Sequence, residues 1–473
     1  MKKNYSTMDS FAQTQLGRLG AKSALFRIQW PTRLFAFVGW IGLLVVGIYY
    51  PLSVGLALFG VGFLNYVLLL SFRISNNFFK KTPTTDNSFI GQLPSWPSFS
   101  ILVPLKNEDE VIHATLRSIE ALDYPQYLMQ VIIVVEETDQ LTRRSLRSVT
   151  LPSFFKVLLI PALPPYTKGR ALLHALPIAT GEYITVYDAE SRPEPSQLRK
   201  AALALAEAKE TTCFQAKISI SNRSSSWISR HFAGEYYEWY ERHMRALSAQ
   251  GLPFGLGGNS FFLSKIALEN AGAWDPFNVT EDADLSVRLV EQGVKLQLLE
   301  SLTTESCPDS ATNWINQRTR WNKGLFITQL VHLRRTLFSR GFGLEGWSSF
   351  WLPMISSALT PFFNIYIPIY MIMSDLSYTT ITAMSLSLWL LLAFNLSCSW
   401  VINFKTYRQL GIKQSTLGIL WDTFRYLFLH LGAGFKAYGE YFLAPMHWHK
   451  TDHTEPEQSN HPAPLPEAQF SLS

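Results

Sequence analysis

Between Leu34 and Phe72 lie about 39 consecutive residues with no charged side chain. One membrane-spanning helix needs about 20 apolar residues, so the stretch has room for two, with Pro51 as the break between them. It starts too late and runs too long for a cleavable signal peptide. Arg18, Lys22, Arg27 and Arg33 precede it, and Arg73, Lys80 and Lys81 follow it. Basic flanks on both sides place both ends in the cytoplasm. A buried helical hairpin inside a soluble core is the alternative reading. Residues 1–33 then form a cytoplasmic, amphipathic N-terminus.

A second apolar zone, 347–404, is interrupted at Ser374-Asp375-Leu376-Ser377 and followed by Lys405, Arg408 and Lys413. It reads as another hairpin that leaves and returns to the basic side. Residues 415–452 are less apolar, because Asp422 and Arg425 fall inside Leu417 to Phe435. A charge at the bilayer centre costs at least about 2.5 kcal/mol, so this segment is expected to be interfacial or re-entrant, with a fifth spanning helix as the alternative. The tail 455–473, rich in Pro, Glu and Ser, is expected to be disordered. Charged residues make up only 16% of the 473, against roughly 25% in soluble domains. The formal net charge, 41 − 36 = +5, is too small for a nucleic-acid partner. Cys213, Cys307 and Cys398 form no C-x-x-C pair, which argues against a disulfide framework and for a reducing compartment.

Residues 98–340 have a different pattern. Apolar, β-rich runs occur at 100–104, 131–135, 157–160 and 183–187, separated by helical stretches at 108–122, 140–149 and 170–179. Strands alternating with helices imply βαβ units and a mostly parallel, buried sheet. Ligands of such sheets bind beyond the carboxyl ends of the strands. Those ends carry Pro104-Leu105-Lys106-Asn107-Glu108, then Glu136-Glu137-Thr138-Asp139, then Asp188-Ala189-Glu190. The later two clusters put carboxylates where a nucleotide or a divalent cation would sit. Mg²⁺ takes one or two carboxylates plus phosphate oxygens, which Asp188 and Glu190 can supply. Thr280-Glu281-Asp282 opens a helix and offers a general base, although acids in a first turn also serve the helix dipole. Gln317, Arg320 and Trp321 stand at i, i+3 and i+4, hence on one helical face: an amide, a cation for a diphosphate, and an aromatic platform. The glycines at 255–258 are no dinucleotide fingerprint, since no strand-to-helix G-x-G-x-x-G accompanies them.

Taken together, these motifs resemble the membrane-embedded family 2 glycosyltransferases, in particular the cellulose-synthase-like and bacterial exopolysaccharide synthase branch. The resemblance covers about residues 98–330. It implies a cytoplasmic α/β GT-A domain flanked by transmembrane helical hairpins. It also implies inverting transfer from a nucleotide diphosphate sugar, a UDP-sugar by expectation, with Mg²⁺ or Mn²⁺. On this resemblance, Pro104, Glu136, Glu137, Lys168, Arg170, Asp188 and Arg320 bind the donor, and Asp188 with Glu190 holds the metal. Asp282 is the base, with Glu281 beside it. Gly258, Asn259, Gln317 and Trp321 line the acceptor site, and Trp448, Lys450 and Thr451 match a gating loop. Glu stands for Asp at positions 136, 137 and 190. The implied setting is a multi-pass protein of the plasma membrane, elongating a glycan, with an export or oligomeric partner to complete a channel. Single transfer to a lipid is the alternative, and a transporter without catalysis is opposed by the intact Asp188, Asp282 and Trp321.

Overall fold

The structure is a computed structural model and describes residues 9–78, 93–356, 359 and 378–447. Its centre is a mixed sheet of eight strands among the described residues: β1 (Phe99–Leu105), β2 (Met129–Glu136), β3 (Phe155–Ile160), β4 (Tyr183–Val186), β5 (Arg192–Pro193), β6 (Thr212–Ile220), β7 (Phe261–Ser264) and β8 (Lys295–Glu305). They lie in the order β3-β2-β1-β4-β7-β6-β8-β5. Alternate residues of β1 and β2 enter two separate cores. Ile101, Val103, Val131 and Ile133 pack on one face, while Leu102, Ile132 and Val134 pack on the other. Burial on both faces explains why these strands read as unbroken apolar runs.

Among the described residues, thirteen α-helices frame the sheet up to residue 336: α1 (Ser10–Leu19), α2 (Leu25–Ile28), α3 (Trp30–Tyr49), α4 (Pro51–Phe78), α5 (Ile112–Glu120), α6 (Gln140–Arg147), α7 (Lys168–Ala175), α8 (Gln197–Glu207), α9 (Trp227–Tyr237), α10 (Arg245–Ala249), α11 (Lys265–Asn270), α12 (Glu281–Glu291) and α13 (Ala311–Thr336). Helices Tyr378–Gln409 and Thr416–Leu443 follow. The helices of the middle region are shorter than expected from sequence. Ile112–Glu120 replaces 108–122, for example, because the residues after β1 form a loop pinned where Asp139 accepts the Asn107 N–H at 2.6 Å.

Strand direction decides which residues meet. β4, β6 and β8 run the same way, with β7 antiparallel between β4 and β6. The carboxyl ends of β4 and β8 therefore share an edge with the start of β7, so Asp188, Glu305 and Gly258-Asn259 converge there.

The segment expected to be interfacial or re-entrant is a single helix, Thr416–Leu443, lying along α13. Asp422 is buried within it, its carboxylate shared by Gln414, Arg230 and Arg425. The charges that argued against a span are thus paired. Pro51 starts α4, as a proline at a first helical turn does. Over its described residues, no helix is long and apolar enough to cross a membrane. Side chains of α3 stand exposed all the same, among them Phe35 at 82% and Val38 at 56%. The loop residues Trp448, Lys450 and Thr451, and the tail 455–473, lie outside the described residues, as do 79–92 and 360–377.

Candidate active site

A cavity of about 760 Å³ opens at the carboxyl edge of the sheet. Pro104, Glu136, Lys168, Asp188 and Glu190, most of them expected at a donor, line one end. Gly258, Asn259, Glu281 and Asp282 line its middle, and Gln317, Arg320 and Trp321 face it from α13. Glu137 and Arg170 are not among the lining residues.

Lys168 is the hub of the end lined by Asp188 and Glu190. It opens α7, which Thr167 caps by accepting the Arg170 N–H. Its Nζ meets Asp188 Oδ1 at 2.5 Å, donates to the Gly258 carbonyl at 3.0 Å and stands 4.0 Å from Glu281. Burial works against the ammonium, but the charges of Asp188 and Glu281 outweigh it and hold the lysine above its ordinary pKa. Asp188 also accepts from Asn259 Nδ2 at 3.2 Å, and its backbone N–H donates to Ser191 Oγ at 3.1 Å.

Negative charge is in excess here. Burial, then the neighbouring Asp188, pushes Glu190 up to about 7. Burial together with Glu190 and Asp188 pushes Glu305 up to about 8. Such crowding of carboxylates is what a divalent cation relieves, and hard oxygen donors suit Mg²⁺ or Mn²⁺. Among the described residues no group of three or more His, Cys, Asp or Glu is arranged to hold a metal. Asp188 and Glu190 are the carboxylates of this crowded edge that could share a cation with a bound diphosphate.

Asp282 lies in the first turn of α12. Its Oδ1 accepts the Ala283 N–H at 2.8 Å, and burial holds its carboxyl above the usual aspartate range despite the nearby Lys168 and Arg320. Two glycines let the chain close around it. Gly258 has φ +85°, and a Cβ there would stand 3.0 Å from Asp282 Oδ2. A Cβ on Gly324 would stand 2.5 Å from the Thr280 side chain, so only glycine lets α13 approach the T-E-D turn. Glu281, 5% exposed, is pushed up to about 7 by burial, opposed by Lys168 and reinforced by Asp282.

Arg170, expected at the donor, is 1% exposed and bonded to Glu136 at 2.6 Å, to the Pro161 carbonyl at 2.6 Å and to Asp9 at 3.4 Å. Its guanidinium fixes Glu136 from behind and ties α1 to α7. Glu137 points to solvent. Sequence reasoning passed over Lys106 and Tyr166. The lysine lies 5.1 Å from the Tyr166 ring centroid and 3.6 Å from Glu136, and both residues line the cavity.

On α13, Gln317 is buried with Oε1 unpartnered among the described residues. Trp321 is backed by an unforeseen residue, Arg318, whose guanidinium lies 4.6 Å from its ring centroid, 4.7 Å from Phe232 and 5.2 Å from Trp314. Arg318 is itself paired with Glu235 of α9. Trp321 thus has one side packed and the other available to the cavity. Trp321→Ala is expected to keep the melting temperature and UDP binding while losing product. A purely structural Trp would instead cost about 3–5 kcal/mol of stability, and early melting with full activity per folded molecule would sink the platform role.

Residues 97–324 match the profile of the family described as glycosyltransferase like family 2. The probable glycosyltransferase YdaM of Bacillus subtilis is 25% identical over 268 residues, covering 52% of this chain and 63% of that protein. A beta-monoglucosyldiacylglycerol synthase of Trichormus variabilis is 28% identical over 235 residues, 49% of each chain. A probable glucomannan 4-beta-mannosyltransferase of Arabidopsis thaliana is 24% identical over 238 residues, 49% of this chain and 43% of that one. The match thus spans less than two thirds of each of these relatives. Among solved structures, the mannosyltransferase PcManGT of Pyrobaculum calidifontis, in complex with GDP-Man and Mn²⁺, superimposes with a TM-score of 0.53 at 17% identity, over 75% of this chain and 97% of that one. That likeness establishes a shared GT-A fold.

Proposed function

From the family 2 glycosyltransferase domain that the chain carries over residues 97–324, we propose an inverting membrane enzyme that elongates a polysaccharide from a nucleotide diphosphate sugar, in our reading a UDP-sugar, and passes the product outward. The observation that carries this reading is the reach of the cavity. It runs from Asp282 past Trp321 to Asn395, Ser399 and Asn403 of the helix Tyr378–Gln409. Those three stand at i, i+4 and i+8, one polar stripe along the helix. The opposite side of the helix exposes Leu386, Leu390 and Phe394. Polar toward the cavity and apolar outward is the pattern of a helix between a glycan path and lipid.

The membrane setting is supported by the exposed apolar side chains of α3, Phe35 and Val38 among them. Basic residues on both sides of the apolar segments favour a catalytic domain in the cytoplasm at the plasma membrane. In the reaction, Lys168 and Arg320 meet the diphosphate and Asp188 with Glu190 would hold the cation, which supplies charge neutralisation at the leaving oxygen. Asp282 takes the proton of the acceptor hydroxyl, Trp321 carries the acceptor ring, and a single displacement inverts the anomeric carbon.

Transfer to a lipid is the second reading. Leu396, Leu427 and Leu431 also line the far end of the cavity, and the Trichormus relative is named for a glycolipid product. Membranes containing the protein, incubated with a panel of radiolabelled UDP- and GDP-sugars, are expected to yield high-molecular-weight material. A product that partitions into organic solvent would favour the lipid reading, and no incorporation from any donor would overturn both. Cysteines introduced near residue 210 should resist an impermeant thiol reagent in intact cells, and their labelling from outside would refute the topology.

A further inference from the structure

We infer that Glu305 is a positioning residue which, through Ser191 and Asn259, holds both the backbone and the carboxylate of Asp188 in place for a divalent cation and the donor diphosphate. The inference rests on the reading of Asp188 as a residue that meets that cation. Glu305 ends β8, and its neighbours come from three other stretches of chain. Its Oε1 accepts from Ser191 Oγ at 2.8 Å and from Asn259 Nδ2 at 2.7 Å. Ser191 Oγ in turn accepts the Asp188 N–H at 3.1 Å. The same Asn259 nitrogen donates to Asp188 Oδ2 at 3.2 Å. Four residues thus close a ring around one carboxylate.

The chemistry of the ring leaves little freedom. Glu305 Oε1 and Asp188 Oδ2 both act as acceptors here, so the amide nitrogen of Asn259 must face them and its Oδ1 must face away. That Oδ1 is buried, lacks a partner among the described residues and belongs to a residue lining the cavity. A ring built only for stability would have no need to aim an unsatisfied acceptor there, because such an atom is costly to bury. Hydrogen bonds at the 2.7–2.8 Å seen on Glu305 Oε1 are short and directional, which is how Glu305, at the cavity wall, sets the angle of Asp188.

The test uses the full-length chain in detergent and measures Mn²⁺ binding in the presence of UDP by electron paramagnetic resonance. Outer partners of metal ligands typically matter by 10–100-fold in metal affinity, so Glu305→Gln is expected to weaken Mn²⁺ by at least about tenfold. The donor KM should rise more than kcat falls. In an Asp188→Ala background the same change should have no further effect, since the ring acts only through Asp188. Ser191→Ala, which cuts one arm and leaves the carboxylate bonded to Asn259, should weaken Mn²⁺ by a smaller factor. Unaltered Mn²⁺ affinity in Glu305→Gln or Ser191→Ala, or an additive loss in the double variant, overturns the inference. A wild-type protein that binds no Mn²⁺ with UDP overturns the reading of Asp188 itself, and this inference with it.

Discussion

Asp282→Asn is expected to cut sugar transfer by about 10²–10⁴-fold, the usual loss on removing a general base, while UDP binding stays near wild type. The amide keeps the shape of the side chain, and its Oδ1 still accepts the Ala283 N–H. What it loses is the capacity to take a proton. On the proposed reading, donor contacts are made by other groups, chiefly Lys168 and Asp188, which are bonded to each other. The pH profile supplies an independent check. A base acts only when deprotonated, and burial raises the Asp282 carboxyl. The wild-type rate should therefore be present at neutral pH and be lost as pH falls through a value above the ordinary aspartate range. In Asp282→Asn the residual rate should not follow that limb. Near-wild-type turnover in the variant would sink the assignment of the base.

The parts of this molecule that were legible in its sequence are those decided by local chemistry. β1, β2 and β4 are apolar runs because both faces of the sheet are buried there, and their carboxyl ends were therefore visible as candidate edges. Asp188, Asp282 and the α13 triad belong to short motifs whose spacing carries a mechanism, and the fold brings them to one cavity. What escaped depends on long-range pairing. β6 and β8 mix polar with apolar residues, and β7 is only four residues long, so neither a run nor a clean alternation marks them. Without β8 there is no way to see that Glu305 arrives beside Asp188. Arg170 shows the opposite error. Its place beside Lys168 suggested a donor ligand, but a residue two positions along a helix lies on another face. That face is the one Glu136 and Asp9 occupy. At Asp422 the nearby Arg425 was visible in sequence, but Arg230, 192 residues away, was not.

Asp188→Ala is expected to abolish metal-dependent donor binding and to reduce transfer at least as much as removal of one preorganised stabiliser of a developing oxyanion, about 10²–10³-fold. Excess EDTA should produce the same loss in the parent protein, and added Mn²⁺ should restore the parent but not the variant. A competing explanation has to be met. Asp188 is also the counter-ion of Lys168 at 2.5 Å, and truncating one partner of a buried pair costs about 3–5 kcal/mol by leaving the other charge uncompensated. The variant could then lose activity through the lysine alone. The paired substitution Asp188→Asn with Lys168→Met separates the two. It removes both charges, so a merely structural pair would regain its melting temperature and its Mn²⁺ binding, even though the loss of Lys168 weakens the diphosphate contact. A carboxylate needed for the cation predicts a different result: the melting temperature recovers, while Mn²⁺ binding with UDP and sugar transfer remain lost. Full activity of the parent protein in excess EDTA, or restored Mn²⁺ binding in the neutral pair, would remove Asp188 from the metal site and leave it as the partner of Lys168.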